Sequence, residues 1–159
     1  MSDVTNEAAI RGALTRVASN VVIITTSTKD GPHGSTATVW SEWIDPPVAV
    51  VMIDRDGETF KCISEAGHFA VNLLDENGAD VAKRFAEHGV DRFAGVAFHV
   101  SESGIPLLEG CVATLECRLD ASYPLGSYTI VSGAIVSATT GDVTEPLVYY
   151  NGSFRKLGT

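Results

Sequence analysis

Three hydroxyl side chains, those of Thr36, Thr38 and Ser41, lie within six residues of one another in the segment 31–53. A strand would place Thr36 and Thr38 on the same face, where both hydroxyls could hydrogen-bond to one edge of a flat polar ligand. The small residues around them allow a ligand to approach the main chain closely. The alternative is the water-facing side of an ordinary strand, in which threonine is common. The spacing alone favours that alternative.

Thr59, Arg92 and Tyr128 are further candidates for binding a ligand. Thr59 stands at the start of a predicted helix, where its hydroxyl would cap the helix or the helix end would attract a phosphate. Arg92 offers two parallel hydrogen bonds to a phosphate, with Asp91 orienting the arginine or capping the loop. An Arg–Asp pair that ties a loop to the rest of the fold is the simpler interpretation of these residues. Tyr128, which follows a Gly-Ser turn, would stack on a ring or fill core volume.

The composition limits the classes of function. A length of 159 residues with 45% hydrophobic and 19% charged residues predicts one folded domain with its own core. The net charge of −9 without a Lys/Arg cluster argues against nucleic acid as a partner. The sequence has no apolar stretch of membrane-spanning length and no secretory signal pattern at its N-terminus. We therefore expect a cytoplasmic protein that does not bind membranes.

Cysteine and histidine do not form the pattern of a metal site. The three cysteines contain no Cys-x-x-Cys pair, and the four histidines are scattered without ligand spacing. We therefore expect reduced, buried thiols and no metal. The sequence also lacks Gly-x-Ser-x-Gly, His-Glu-x-x-His and Gly-x-Gly-x-x-Gly, which are motifs of hydrolases and of dinucleotide-binding folds.

The elements that would position the candidate residues are mainly strands. Apolar runs and alternation predict strands at 21–26, 34–40, 48–53, 69–73, 111–122, 128–140 and 147–150. The Lys-Asp-Gly-Pro sequence at 29–32 predicts a turn that reverses the chain. The continuous apolar run at 48–53 predicts a central strand covered on both faces.

The predicted helices are few and short. One follows a cap at Thr5 or Asn6 and carries an apolar face that includes Ile10 and Leu14. Two more are predicted at 59–66, before Gly67, and at 80–88. Many strands and few short helices indicate a mainly β protein, a small antiparallel β-barrel with helices at its ends.

Several motifs, in order along the chain, resemble those of the flavin reductase-like family. Members of this family are small NAD(P)H:flavin oxidoreductases that serve two-component flavin monooxygenases. The resemblance runs from about residue 10 to 155 and rests on Pro-His-Gly-x-Thr-Ala-Thr at 32–38, Asp-Pro-Pro at 45–47, Phe-Ala-Val-Asn at 69–72, Arg-Phe at 84–85 with Asp-Arg-Phe-Ala-Gly at 91–95, and Pro-Leu-Leu, Leu-Glu-Cys and Leu-Val-Tyr-Tyr at 106–108, 115–117 and 147–150. One such motif alone is weak, but several in order along the chain are specific.

The resemblance implies an FMN-binding split β-barrel over residues 1–159, usually a homodimer, with FMN or FAD near the subunit interface. It implies NADH or NADPH as the hydride donor, reduction at flavin N5 and a partner monooxygenase. The residues it assigns to the flavin are Thr36, Ala37, Thr38, Val39 and Ser41 at the ring, Asp54, Gly57 and Thr59 along the ribityl-phosphate arm, and Arg92, followed by Phe93, as the charge partner of the phosphate.

The sequence departs from the family pattern at three places. Ser127-Tyr128 replaces an Asp-His pair associated with the nicotinamide site, so Tyr128, the candidate catalytic residue, is expected to stack on nicotinamide or to close that site. Gly57 replaces a Ser or Asn and loses one side-chain hydrogen bond to the phosphate. Trp40, Glu42 and Trp43 stand at positions where smaller or less charged residues are common in the family. Two alternatives to a reductase follow: a flavin-dependent enzyme that acts directly on an organic substrate, with Trp40, Trp43 and Tyr128 shaping its pocket, or a non-catalytic flavin-binding protein.

Overall fold

The structure is a computed structural model that describes residues 6–158. In this range the helices are α1 (Glu7–Leu14), α2 (Glu58–Ala66) and α3 (Ala79–Arg84). The strands are β1 (Ser19–Asn20), β2 (Val22–Thr28), β3 (Gly31–Ala37), β4 (Val39–Glu42), β5 (Val48–Asp54), β6 (His68–Leu73), β7 (Phe98–Val100), β8 (Pro106–Leu108), β9 (Ala113–Leu125), β10 (Tyr128–Thr140), β11 (Leu147–Tyr150) and β12 (Ser153–Lys156). The predicted mainly β fold with a few short helices is confirmed.

A seven-stranded antiparallel sheet in the order β3-β2-β6-β9-β10-β5-β4 forms the body of the molecule. Its two edge strands, β3 and β4, are consecutive in the chain and are separated by Thr38 alone. At one edge Ala37 pairs with Val22, and at the other Val39 pairs with Val51. The sheet therefore curves into a barrel whose edges are joined covalently through one residue, which leaves little of either edge open.

The barrel interior is filled by inward-facing residues that alternate along each strand. On β5 these are Ala49, Val51 and Ile53, which are all buried. Gly133 on β10 makes room for the ring of Phe69, because a Cβ there would lie 2.6 Å from Phe69 Cζ. The interior is close-packed at this point, so the glycine is required by the neighbouring side chain.

A second core lies on the outer side of β2 and holds the segments that border the functional site. Ile23 and Phe85 are fully buried there, beside α3. Asn72 links the layers, because its amide donates to the Ile23 carbonyl at 2.9 Å and its Oδ1 accepts from the Leu108 amide at 2.9 Å. A buried polar group that is satisfied in this way fixes the position of the chain after α3 relative to the sheet.

Three sequence predictions differ from the structure in detail. The predicted strand 34–40 is split at Thr38, because the chain leaves one edge of the sheet there and enters the other. The predicted helix 80–88 ends at Arg84, and its remaining residues form a loop. The predicted burial of 48–53 on both faces is wrong, because β5 buries one face only and Met52 on the other face is 44% exposed.

Helix α1 is also more exposed than its apolar stripe suggests. Ile10 is 54% and Leu14 is 64% exposed, and α1 buries none of its residues. Asn6 stands at the N-cap position without a side-chain capping bond, and Thr5 lies outside the described residues. In the described range, no helix has the length and apolar character needed to cross a bilayer.

The three cysteines are all free and buried, as predicted. Burial raises the pKa of Cys117 to about 12 and that of Cys111 to about 11, so both stay protonated at neutral pH. Between residues 6 and 158, no group of three or more His, Cys, Asp or Glu side chains is placed to hold a metal ion.

Candidate functional site

A cleft of about 660 Å³ lies between the barrel and the loop that follows α3. Its walls are β3, the end of β5 with the start of α2, the loop 85–93 and the first residue of β10. The predicted site residues that line it are Thr36, Asp54, Gly57, Thr59, Arg92, Phe93 and Tyr128. These residues come from segments that are far apart in the sequence, and the fold brings them to one cavity.

The start of α2 forms one wall of the cleft and carries no side-chain cap. Gly57 occupies the N-cap position with extended backbone (φ −80°, ψ 157°), so the first N–H groups of the helix stay open to a ligand. Thr59 is buried in the first turn, and within the described residues its hydroxyl has no hydrogen-bond partner. This wall therefore offers N–H and O–H donors to an anion.

Asp54 organises the turn that leads into α2. Its Oδ1 accepts the Asp56 amide at 3.0 Å, and its carbonyl accepts the Gly57 amide at 3.2 Å. A Cβ at Gly57 would lie 3.3 Å from the Cβ of Asp54, which leaves little room for a larger residue. Asp54 thus positions the start of the helix.

Arg92 is the cation of the cleft. Its Nε donates to the Glu87 carbonyl at 2.8 Å, and its Nη1 donates to the Gly34 carbonyl at 2.7 Å. Partial burial lowers the pKa of Arg92 from its usual value, although a guanidinium stays charged at neutral pH. Among the described residues no carboxylate pairs with it. Its charge is therefore available to an anionic ligand.

The predicted ion pair between Asp91 and Arg92 is wrong, although other hydrogen bonds hold the loop 85–93 in place as expected. Asp91 does not pair with Arg92, and its Oδ1 instead accepts the Phe93 amide at 3.2 Å. Arg84 reaches the carbonyls of Asp91 and Arg92 at 3.1 and 3.2 Å. The loop is therefore held through backbone oxygens, and the guanidinium of Arg92 has no carboxylate partner between residues 6 and 158. Phe93 is buried and packs edge-on against Phe85.

Thr36 fixes β3 against α3. Its hydroxyl donates to the Ala82 carbonyl at 2.6 Å, and its amide donates to the Phe85 carbonyl at 3.3 Å. Gly34 allows this close approach, because a Cβ there would lie 2.9 Å from both the Ile24 carbonyl oxygen and a Phe85 ring carbon. The Thr36 hydroxyl has used its proton but can still accept a hydrogen bond from a ligand.

Tyr128 borders the cleft from the first position of β10 and is 46% exposed. The preceding carbonyl, that of Ser127, accepts the Arg55 amide at 3.1 Å, which holds the start of β10 beside the turn before α2. An exposed ring on a fixed backbone is a suitable surface for a planar ligand.

A second, smaller cavity of about 330 Å³ lies on the outer face of β5. It is lined by residues 18–20, 38–40 and 50–52 and by Ile130, and it shares Met52 with the cleft. Thr38 and Val39 therefore lie in this second cavity, away from Thr36. Ala37 is half-buried against the main core, and the hydroxyl of exposed Ser41 donates to the Val48 carbonyl at 3.2 Å. Neither of those two residues lines the cleft or this second cavity.

Residues 14–158 match the flavin reductase like domain. The chain belongs to this family. It is 38% identical over 154 residues to an NADH-dependent flavin reductase of Rhodococcus sp., which covers 93% of this chain and 85% of that protein. The family predicted from the motifs is confirmed.

Two further relatives illustrate the range of the flavin reductase family. An actinorhodin polyketide dimerase of Streptomyces coelicolor is 35% identical over 150 residues, covering 93% of this chain and 85% of that protein. The crystal structure of an NADH:FAD oxidoreductase of Streptomyces globisporus, in complex with NAD and FAD fragments, has a TM-score of 0.90 at 29% identity. The alignment covers 99% of this chain and 96% of that chain. This likeness supports the predicted split barrel of the flavin reductase family.

Sequence reasoning missed three parts of the site in this family member. Residues 85–88 were predicted to be the last turn of a helix that Gly89 ends, but they belong to the loop that borders the cleft. Met52 was expected to be buried, because an apolar run does not reveal which face of a strand is open. Asn20 lines the second cavity, and nothing in its sequence context indicated a role there.

Proposed function

We propose that this protein is a flavin reductase that uses NADH to reduce FMN or FAD and supplies the reduced flavin to a separate monooxygenase. The observation that carries the proposal is one cleft that combines the guanidinium of Arg92, the uncapped start of α2 and the exposed ring of Tyr128. Membership of the flavin reductase family and the NADH-dependent relative support it.

The residues present fit the phosphate of a flavin. Arg92 would supply charge, Thr59 a hydroxyl donor and the first turn of α2 backbone N–H groups. Gly57 provides no side-chain ligand, and it leaves the helix start without a side-chain cap. Asp54 positions the turn before α2, and Phe93 anchors the loop that carries Arg92 by packing against Phe85.

We place the ring system of the flavin along the crossover between β3 and β4. Thr36 borders the cleft there, Thr38 and Val39 border the second cavity, and Met52 is common to both. When bound, a flavin supplies the site with an acceptor for a hydride at N5. The contribution of the protein is to hold the nicotinamide of NADH against that ring and to limit the access of water.

We propose that Tyr128 is the surface on which the nicotinamide stacks. Its ring is exposed at the edge of the cleft, and its backbone is fixed by pairing with Asp54. The family pattern has a histidine near this position, which can hydrogen-bond to the nicotinamide. In this chain the ring of Tyr128 would hold the nicotinamide by stacking instead. The cleft lining contains five carboxylates, those of Asp54, Asp56, Glu58, Glu87 and Asp91. Such a lining is less favourable to NADPH, which carries an additional phosphate, than to NADH.

We also infer that the protein is a homodimer of one domain, residues 1–159, and that it acts in the cytoplasm. Support for a dimer comes from large apolar side chains left on the surface, among them Trp43, which is 87% exposed, Leu14 and Met52. Support for a reducing compartment comes from the three free cysteines. Light scattering should give a mass of twice the 16.8 kDa of one chain.

One observation favours a second candidate, a flavin-dependent enzyme that acts directly on an organic substrate. The relative from Streptomyces coelicolor is named a polyketide dimerase, so a member of this family carries a name that is not that of a reductase. Trp40 lines the second cavity, and Tyr128 the cleft, where an aromatic substrate could bind.

The test mixes purified protein with each pairing of NADH or NADPH with FMN or FAD and follows nicotinamide oxidation. The proposal predicts turnover with NADH and lower turnover with NADPH. Flavin binding without oxidation of either nicotinamide would overturn it. The second candidate would then be tested by adding aromatic substrates to the flavin-loaded protein. If none of them is converted, the remaining interpretation is a non-catalytic flavin-binding protein.

A further inference from the structure

The residue that closes the barrel, Thr38, has no strand partner of its own. It lies between the last residue of β3 and the first residue of β4, at the point where the chain passes between the edges of the sheet. Its C=O faces the Met52 N–H across the β4–β5 pair, whereas its N–H makes no backbone hydrogen bond within the described part of the chain. Thr38 is exposed and lines the second cavity. Its main chain therefore leaves one donor, the N–H, beside that cavity.

The next residue, Val39, is fixed from outside the barrel by the side chain of Asn20. The Asn20 Nδ2 donates to the Val39 carbonyl at 2.8 Å, and the Val39 amide donates to the Asn20 Oδ1 at 2.9 Å. This pair of bonds reproduces with one side chain what a neighbouring strand would provide. Asn20 is itself anchored in β1, which pairs with β11 in a different sheet. The orientation of the crossover thus depends on a two-point clamp.

The cavity beside the clamp is uncharged. Its lining consists of apolar, hydroxyl and amide side chains, in contrast to the carboxylates of the cleft. A flat, uncharged heteroaromatic ring with its own donors and acceptors fits such a lining, since it can stack on the apolar face and hydrogen-bond to the main chain. The uracil-like edge of a flavin ring has this chemistry.

We propose that Asn20 is a positioning residue for the flavin. By clamping both backbone groups of Val39, it fixes the crossover at Thr38, so that the N–H of Thr38 faces the edge of the ring. The inference rests on the proposed function for the identity of the ring, but the clamp can be tested by binding alone. Asn20 touches no reacting atom and acts through the backbone of its neighbours.

The test measures the dissociation constant of FMN by flavin fluorescence for the wild type, Asn20→Ala and Asn20→Asp. Asn20→Ala removes both bonds, and Asn20→Asp keeps an acceptor for the Val39 amide but loses the donor to its carbonyl. We expect the FMN Kd to rise about tenfold in Asn20→Ala and by a smaller factor in Asn20→Asp. In the ligand-free protein, hydrogen exchange in the peptide that contains Thr38 and Val39 should become faster in both variants.

The matched control is Ser101→Ala, which removes a side-chain bond to the Ile105 amide, and neither of these residues lines either cavity. This variant should lower Tm without changing the FMN Kd. If the Asn20 variants behave in the same way, with lower Tm and unchanged Kd, the clamp is merely structural and the inference is wrong. If Asn20→Ala does not fold, Asn20→Asp alone decides. If the wild type binds FMN but oxidises no NADH, the proposed function is wrong. The comparison of FMN Kd values between the variants remains valid in that case.

Discussion

Tyr128 lies directly opposite Asp54 across the antiparallel pair of β10 and β5, and both residues line the cleft. Opposed residues on one face of such a pair lie about 5 Å apart at Cβ, so the phenol and the carboxylate share one edge of the site. The two have different roles, because the carboxylate accepts the Asp56 amide and organises the turn before α2. The exposed ring of Tyr128 is therefore the surface that remains for a planar ligand.

Replacing Tyr128 should separate stacking from hydrogen bonding. Tyr128→Ala is expected to lower kcat/KM for NADH about tenfold, because it removes an aromatic contact, and to change the FMN Kd less. Tyr128→Phe keeps the ring and should stay within about twofold of the wild type. Steady-state kinetics with NADH varied at saturating flavin measures both. An equal loss of kcat/KM in Tyr128→Ala and Tyr128→Phe would instead show that the hydroxyl, and not stacking of the ring, supports the reaction with NADH.

Arg92 should discriminate between flavins with and without a phosphate. Arg92→Gln is expected to raise the FMN Kd about 10- to 100-fold, because a charge-assisted hydrogen bond to the phosphate is lost. Riboflavin has no phosphate, so its Kd should change little. Fluorescence titration with both flavins measures the ratio, and Arg118→Gln on the exposed surface of β9 is the control. An equal loss for FMN and riboflavin would mean that Arg92 only organises the loop through Glu87 and Gly34.

Two glycine-to-alanine changes should have opposite effects on stability. Gly133→Ala places a Cβ 2.6 Å from Phe69 Cζ and 2.7 Å from Cys117 Cβ, so we expect a loss of about 1–3 kcal/mol in the free energy of unfolding. Gly12→Ala, inside α1 with nothing within 4 Å, should gain up to about 1 kcal/mol. Urea unfolding measures both. If Gly133→Ala leaves the free energy of unfolding unchanged, the barrel interior relaxes more easily than its packing indicates.

The buried thiols should make the protein less stable at high pH. Burial raises the pKa of Cys117 from 9.0 to about 12, so the unfolded chain releases this proton at a lower pH than the folded chain. The contribution to stability is present in full below pH 9 and is lost as the pH rises from 9 toward 12. Urea unfolding between pH 8 and 11 should show that the free energy of unfolding declines more steeply with pH in the wild type than in Cys117→Ala. Parallel declines would contradict this role of Cys117.

The sequence identified the chemistry of the site better than its geometry. Thr36, Thr59 and Arg92 were recognised from motifs, and the structure brings all three to one cleft. The expected common face of Thr36 and Thr38 was wrong, because the strand that would hold both is interrupted where the barrel closes. Local alternation cannot show such a break, since it depends on which strands lie at the edges of the sheet.

The clamp on Val39 illustrates what lay beyond sequence reasoning. Asn20 is 19 residues from Val39, and the bonds between them depend on β1 lying beside the crossover. Likewise, the adjacent residues Asp91 and Arg92 suggested an ion pair, but the guanidinium of Arg92 donates to the backbone carbonyls of Glu87 and Gly34 instead. Residue types predicted which groups were available, whereas tertiary contacts determined how each group is used.

The most direct test of the account is an anaerobic titration of the protein with NADH and FMN, with FAD as a parallel, followed by absorbance. A flavin reductase should oxidise one NADH for each flavin bleached, at a rate that rises with the amount of protein. Flavin that binds with the expected Arg92 dependence but stays oxidised in the presence of NADH would contradict the account.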